Sequence, residues 1–293
     1  MSPIAHAEGE QPSQQQPAAS QPKQPAPPLF PKHRRGTYKN LQGLEVVDAT
    51  PQSPPLETDD PSVPDKGEWE INLSVFADLA TAEKRVDLLF VDANYGLLPK
   101  IGRHELPAQF KMEFPIAAAS TSGDPFTFGV GAATLGIKSN FYINEQHGLS
   151  MSVYPQVEFA PTGEGAVEKG LADPGQVLIF PFLIAKQFHE FSFVANAGVE
   201  KPIHVDDSDL RSSFGVGFGR AITRRMSAMM EIHGESAFTD GSSRLMLLNI
   251  GIMRGIHNVI LYGKLGHTLA SSDGESHTYL GAGMKLLIQS TQK

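Results

Sequence analysis

From Trp69 onward the chain alternates apolar and polar residues with a period of two. Trp69, Ile71, Leu73, Val75, Ala77 and Leu79 share one parity, while Glu70, Asn72, Ser74 and Asp78 share the other. This is the pattern of a strand with one apolar and one polar face. It recurs with Leu106 to Phe114 against Glu105 to Glu113, with Leu149 to Phe159 against Ser150 to Glu158, and with Phe191 to Val199 against Ser192 to Glu200. The spacing predicts twelve strands, near 68–79, 85–96, 104–115, 127–141, 148–160, 176–187, 190–201, 209–221, 225–237, 244–254, 257–267 and 278–288. Most of these segments are 11 to 13 residues long. Strands of soluble proteins average about five or six residues, whereas a tilted membrane crossing takes about 9–11.

The connections alternate in length. Tight turns are expected at Asn144 to His147, Gln187 to Glu190, Thr223 to Arg225 and Gly255 to His257, with a larger one at Leu98 to Arg103. Longer loops rich in Gly, Pro, Ser and Asp fall at Ala117 to Pro125, Pro161 to Pro174, Pro202 to Ser208 and Ser271 to Ser276. Short turns at one end and long loops at the other are the pattern of outer-membrane barrels, with the short turns periplasmic. The expected fold is therefore all-β, a closed antiparallel up-and-down transmembrane β-barrel of about twelve strands, and an even strand number places both of its ends in the periplasm. Leu73, Val153 and Phe193 should face lipid. The opposite parity should line the interior with Glu70, Asn72, Asp92, Asn94, Gln109, Lys111, Glu113, Gln156, Glu158, Asn196, Glu200, Arg211, Glu231, His233, Lys264 and Lys285. Gly215, Gly217 and Gly219 share one parity, as suits a crowded interior or a kink that aids closure.

Composition divides the chain. Residues 1–66 hold 13 of the 22 prolines, with glutamine runs and few large apolar side chains. Such a segment cannot bury enough surface to offset its ordering entropy, so it is expected to be a disordered extension that the barrel does not need. Within it, Ala5-His6-Ala7 has the small-x-small form of a signal-peptidase site and suggests a signal-peptide remnant at 1–7. Residues 67–293 carry 18 Lys and Arg against 24 Asp and Glu, spread along the chain, which argues against a nucleic-acid partner. The absence of cysteine removes disulfides, thiolate metal sites and cysteine nucleophiles together. No run approaches the roughly 18 apolar residues of a membrane helix; the richest, Val177 to Ala185, is broken by Pro181.

Candidate chemistry is sparse. Gly131 to Ser139 resembles a phosphate-cradling loop, but Ile137 separates Gly136 from Lys138, and the segment alternates as a strand. Ser236 lacks the second glycine of a nucleophile elbow. His233 shares parity with Ser227, Glu231 and Glu235, so a lumen-lining role outweighs a catalytic one. The ten histidines show no metal-ligand spacing. No catalytic, cofactor or metal residues are expected, and the partners implied are outer-membrane lipid and a small-molecule solute.

Several segments carry a family resemblance: Gly67-Glu68-Trp69-Glu70-Ile71-Asn72-Leu73, Asp92-Ala93-Asn94-Tyr95-Gly96-Leu97, Leu135-Gly136-Ile137-Lys138, Val153-Tyr154-Pro155-Gln156 and Pro161-Thr162-Gly163. Over about 67–288 the chain resembles the bacterial outer-membrane barrels grouped as transporters of the phenol meta-cleavage degradation pathway. The resemblance implies an outer-membrane location and movement of small, including aromatic or hydrophobic, compounds. It assigns no binding residue. The chain departs from the family in its long extension before Gly67 and in a last strand that ends in Leu286, Leu287, Ile288 and a polar tail. The leading expectation is a narrow channel or transporter. The rivals are a non-conducting barrel that works structurally or through its loops, and an outer-membrane lipid hydrolase.

Overall fold

The computed structural model describes residues 37–39, 45–121, 124–205, 209–237, 244–256, 258–272 and 274–288. The signal-peptidase triplet and most of the expected extension lie outside them. The fold is a closed barrel of twelve antiparallel strands. These are β1 (Trp69–Leu79), β2 (Glu83–Leu97), β3 (Ala108–Thr121), β4 (Thr127–Val130 and Ala133–Asn144), β5 (Leu149–Val153 and Gln156–Phe159) and β6 (Gln176–Phe188). They continue with β7 (Phe191–Ile203), β8 (Arg211–Thr223), β9 (Met226–Ala237), β10 (Arg244–Ile256), β11 (Val259–Ser271) and β12 (Thr278–Ile288). Each strand pairs with the next, and β12 returns to β1 in a register running from Thr278↔Leu79 to Ile288↔Trp69. Closure leaves no edge strand, which lipid could not hydrate.

The twelve strands stand where the alternation predicts them; β4 is interrupted at Gly131-Ala132, β11 runs on to Ser271, and β3 and β5 also differ. His104–Glu105 pairs with Lys100–Ile101 in a small hairpin at the short-turn end, so β3 starts later than expected, at Ala108, and runs on to Thr121. Its last turns are alanines whose inner face is covered by a loop, as described below. β5 breaks at Tyr154-Pro155, because proline cannot donate to the ladder.

The outward parity forms a continuous apolar belt. Leu265 on β11 lies between its register partners Ile250 and Leu280, and all three side chains are exposed. At the short-turn end the aromatic side chains gather into a girdle, with Trp69 against Tyr95 at 4.7 Å and Phe193 against Phe188 and Phe218 at 5.6 and 4.9 Å. Such an apolar band bordered by aromatics is the exterior of a barrel in lipid.

Leu265→Arg should cost about 2–4 kcal/mol, as for a cation at the bilayer midplane. Gln156→Arg, on the inner face, should cost about 1 kcal/mol or less. Reversible unfolding in bilayers measures both, and a loss at Gln156 equal to or greater than that at Leu265 would overturn this facing.

Candidate functional site

The lumen is not open. Residues 48–65, expected to be part of a disordered extension that ends at residue 66, are folded inside the barrel. Ala49, Leu56 and Thr58 are almost fully buried. The segment is too polar to pack on itself, but it need not, because the inner wall supplies partners for its polar groups. It enters near the short-turn end beside β7 and β8, where Ser192 Oγ donates to Thr50 Oγ1 at 2.9 Å. It climbs to mid-barrel and returns past β4 and β5, where Asn140 Nδ2 and Ser152 Oγ donate to the Pro61 carbonyl at 2.9 and 2.5 Å. It leaves along β2, where Gly67 N donates to the Gly96 carbonyl and leads into β1.

Charge holds the plug at mid-barrel. The Glu231 carboxylate, 1 % exposed, accepts the backbone N–H groups of Glu57 and Thr58, one on each oxygen and both at 2.7 Å, and also the Asn249 amide at 2.7 Å. Three donors offset the cost of burying that charge. Lys138 pairs with Asp59 at 2.8 Å and donates to the Asp60 carbonyl at 2.7 Å. Lys264 pairs with Glu57, and Lys285 donates to Gln52 while pairing with Glu70 at 2.8 Å. One apolar anchor, Leu56, packs with Met229, Met253, Ile260 and Tyr262.

The inner wall is cut to admit the segment. A Cβ on Gly219 would overlap the Ala49 carbonyl, and one on Gly217 would lie 2.7 Å from Pro51 Cβ. The glycine stripe of β8 is thus the bed on which residues 49–58 lie. From the long-loop end a second element folds inward. The loop between β5 and β6 carries the short helix α1 (Glu164–Val167), and its Ala166 and Leu171 pack on Ala117 and Ala119 of β3. Arg85 donates to the Leu171 carbonyl at 3.2 Å and anchors that loop.

The sixteen expected lumen residues fall into three groups. Glu70, Asn72, Asp92, Asn94, Gln109, Glu231 and Lys285 are packed among themselves or against the plug. Asn72 and Asn94 donate to the two Asp92 oxygens, both at 2.9 Å, and Gln109 donates to Asn94 at 2.8 Å. The partners of these groups among the described residues are one another and the plug. Lys111, Glu113, Gln156, Glu158, Asn196, Glu200, His233 and Lys264 line a cavity of about 430 Å³ above the plug. Arg211 is exposed where β8 meets its long loop. A second cavity of about 560 Å³ adjoins under the inward loop, with Arg85, Asp87, Phe90, Glu113 and Glu158 in both walls.

Sequence reasoning misses Lys138, Asn140 and Ser152, although they sit on the polar parity of their strands. It also misses an apolar strip inside the cavity, formed by Ile179, Pro181 and Leu183 of β6. The signal for the strip is the run Val177 to Ala185, apolar on both parities. Phe76, alone among the aromatics of β1 on the polar parity, likewise faces inward and meets Phe90 edge-on at 5.7 Å. Ser236 stands on the opposite face of β9 from His233, so those two cannot act as nucleophile and base. Among the described residues no three metal-ligating side chains converge.

No family model matches the sequence, and no curated protein matches it significantly. Solved structures are similar in fold. An outer-membrane channel from Pseudomonas putida F1 superposes with a TM-score of 0.64 at 12% identity, covering 80% of this chain and 100% of that one. The NanC porin gives 0.51 at 5% identity, covering 74% and 98%. The fold is therefore that of bacterial outer-membrane β-barrels, and the meta-cleavage transporter resemblance is carried no finer than that.

Because the chain has no cysteine, Thr58→Cys places a single buried thiol in the plug. Adding Gly217→Val should overpack the bed by about 1–3 kcal/mol and so speed thiol labelling about 5- to 150-fold. Heat-modifiable migration should still report a closed barrel. Unchanged labelling would mean that the glycine stripe does not hold the segment.

Proposed function

We propose that the protein is a narrow outer-membrane channel for small solutes, closed at rest by its own residues 48–65. The observation that carries this reading is the chemistry of the plug contact. A permanent filling could be apolar and tightly packed, like the interiors of small barrels. Here the filling is held by a hydrated kind of chemistry, with Glu57 on Lys264, Asp59 on Lys138 and a backbone turn on Glu231. Apart from the apolar contacts of Ala49 and Leu56, the groups released by its withdrawal are ones that water can solvate. Above it, two adjoining cavities lie between plug and inward loop in the long-loop half of the barrel. The role of the wall is passive: it selects and admits, with no covalent step.

The plug itself favours a second reading, a barrel that never conducts and serves as a scaffold. One experiment separates the two. In the double variant Thr58→Cys/Gly215→Cys, a Cβ at Gly215 lies 3.2 Å from Thr58 Cβ. That is a few tenths of an ångström short of the usual disulfide spacing of about 3.5–4.5 Å. Planar-bilayer recording should show no channel events when the pair is oxidised and, since the added side chain also crowds the bed, events at or above the wild-type frequency after reduction. Conduction that ignores the crosslink would mean that solutes bypass the plug, and silence in both states and in the wild type would favour the scaffold.

The open path should also be mildly cation-selective at low salt, since carboxylates exceed cations on the cavity wall and a low-dielectric wall focuses their field. Replacing Glu113 and Glu158 by Gln removes two charges and leaves Lys111, which pairs with Glu113 at 2.6 Å, with the more distant Asp92 at 4.0 Å. The reversal potential across a salt gradient should then move toward anions, and the preference should shrink as ionic strength rises.

A further inference from the structure

The 430 Å³ cavity is at the small end of the range for ligand sites, about 300–1,000 Å³. Its wall carries seven carboxylates against three Lys or Arg side chains. Each of those cations is already engaged: Arg85 with Asp87 at 3.1 Å, Lys111 with Glu113 at 2.6 Å, and Lys264 with Glu57 of the plug. Glu158 and Glu200 have no ion-pair partner among the described residues. The cationic side chains that face them are Arg85, already committed, Arg211, at the rim, and His233 when protonated, and Glu200 also accepts the Ser213 hydroxyl.

The two unpaired glutamates stand on either side of the apolar strip. Strand register places Glu200 of β7 directly opposite Ile179 and Asn196 opposite Leu183. On the other flank, Gln156 of β5 is opposite Ile179 and Glu158 opposite Val177. Neighbouring strands are about 4.8 Å apart, so acceptors and apolar surface alternate within the span of one small molecule. Two polar groups buried in the cavity wall, the Tyr154 hydroxyl and the Asn196 Oδ1 acceptor, have no hydrogen-bond partner among the described residues. Across the cavity, the Lys264 ammonium lies 5.1 Å from the Phe76 ring centroid and 5.8 Å from that of Tyr279, which shows how this wall receives an ammonium group.

We propose that this cavity is a binding site for small protonated monoamines with a compact apolar or aromatic body. The ammonium would sit among Glu158, Glu200 and Asn196, where its three N–H donors meet an excess of acceptors. The body would lie on Ile179, Pro181 and Leu183. A carboxylate of the same shape would face unscreened like charges, and a neutral alcohol would leave both glutamates without a counter-charge. The inference rests on the reading of the cavity as the vestibule of a solute path, but binding can be measured without conduction.

The test is calorimetric titration of the full chain, refolded in detergent at low salt, with 2-phenylethylamine, 2-phenylethanol and phenylacetate. These three probes share a body and differ in charge. The amine should bind about tenfold or more tightly than the alcohol, a difference of about 1.4 kcal/mol, and phenylacetate should bind least. Amine affinity alone should fall as salt is raised, a readout that needs no variant. Glu158→Gln with Glu200→Gln should bring the amine to the level of the alcohol, with heat-modifiable migration checking the fold. Equal binding of amine and alcohol at all salt concentrations, or preference for phenylacetate, overturns the proposal. A barrel that binds the amine yet never conducts would remove the channel reading and leave the site standing; one that conducts without binding the amine would do the reverse.

Discussion

Twelve strands enclose a cylinder wider than one layer of inward side chains can fill, and most of the remaining architecture answers that geometric constraint. Eight-stranded barrels close over their own side chains, and much larger ones hold a column of water. Between those limits the interior needs material from elsewhere in the chain. Residues 48–65 fill the short-turn half, and the loop carrying Ala166 and Leu171 enters from the other end. What neither reaches is the pair of adjoining cavities, whose position is set by where the two fillings stop.

Both fillings use the same device. The wall gives up side-chain volume where a segment must lie against it, as Gly217 and Gly219 do beneath the plug and Ala117 and Ala119 beneath the inward loop. Small residues on the inner parity are therefore complements to specific segments. The outer parity of the same strands keeps full-sized apolar residues, such as Val216 on β8 and Ile116 on β3, because lipid asks for area at every position.

The polar character of the filling links structure to the proposed activity. Burying Glu231, Lys138 and Asp59 carries a desolvation cost that only close pairing offsets. Those pairs lie between plug and wall, not within either, so each half becomes well solvated once the other leaves. An apolar plug would have been cheaper to bury and much harder to withdraw. The largest apolar anchor, Leu56, fixes the register of the segment without making it permanent.

The period-two alternation determined the number of strands, their approximate limits and which parity meets lipid, since an amphipathic strand in a closed barrel has only one way to face. It likewise placed Glu70, Asn72, Asp92 and Glu231 inside, because polar parity is a local property. What those residues do inside was a matter for the tertiary structure. Glu57 meets Lys264 across 207 positions of sequence, and Thr58 meets Glu231 across 173. A proline-rich stretch with no apolar periodicity carries no local trace of a partner so distant. Composition indicates that such a segment lacks the apolar surface to fold by packing on itself. It cannot indicate that a barrel lumen lined with complementary charge and edged with glycine will order it, because that order comes from the wall and not from the segment.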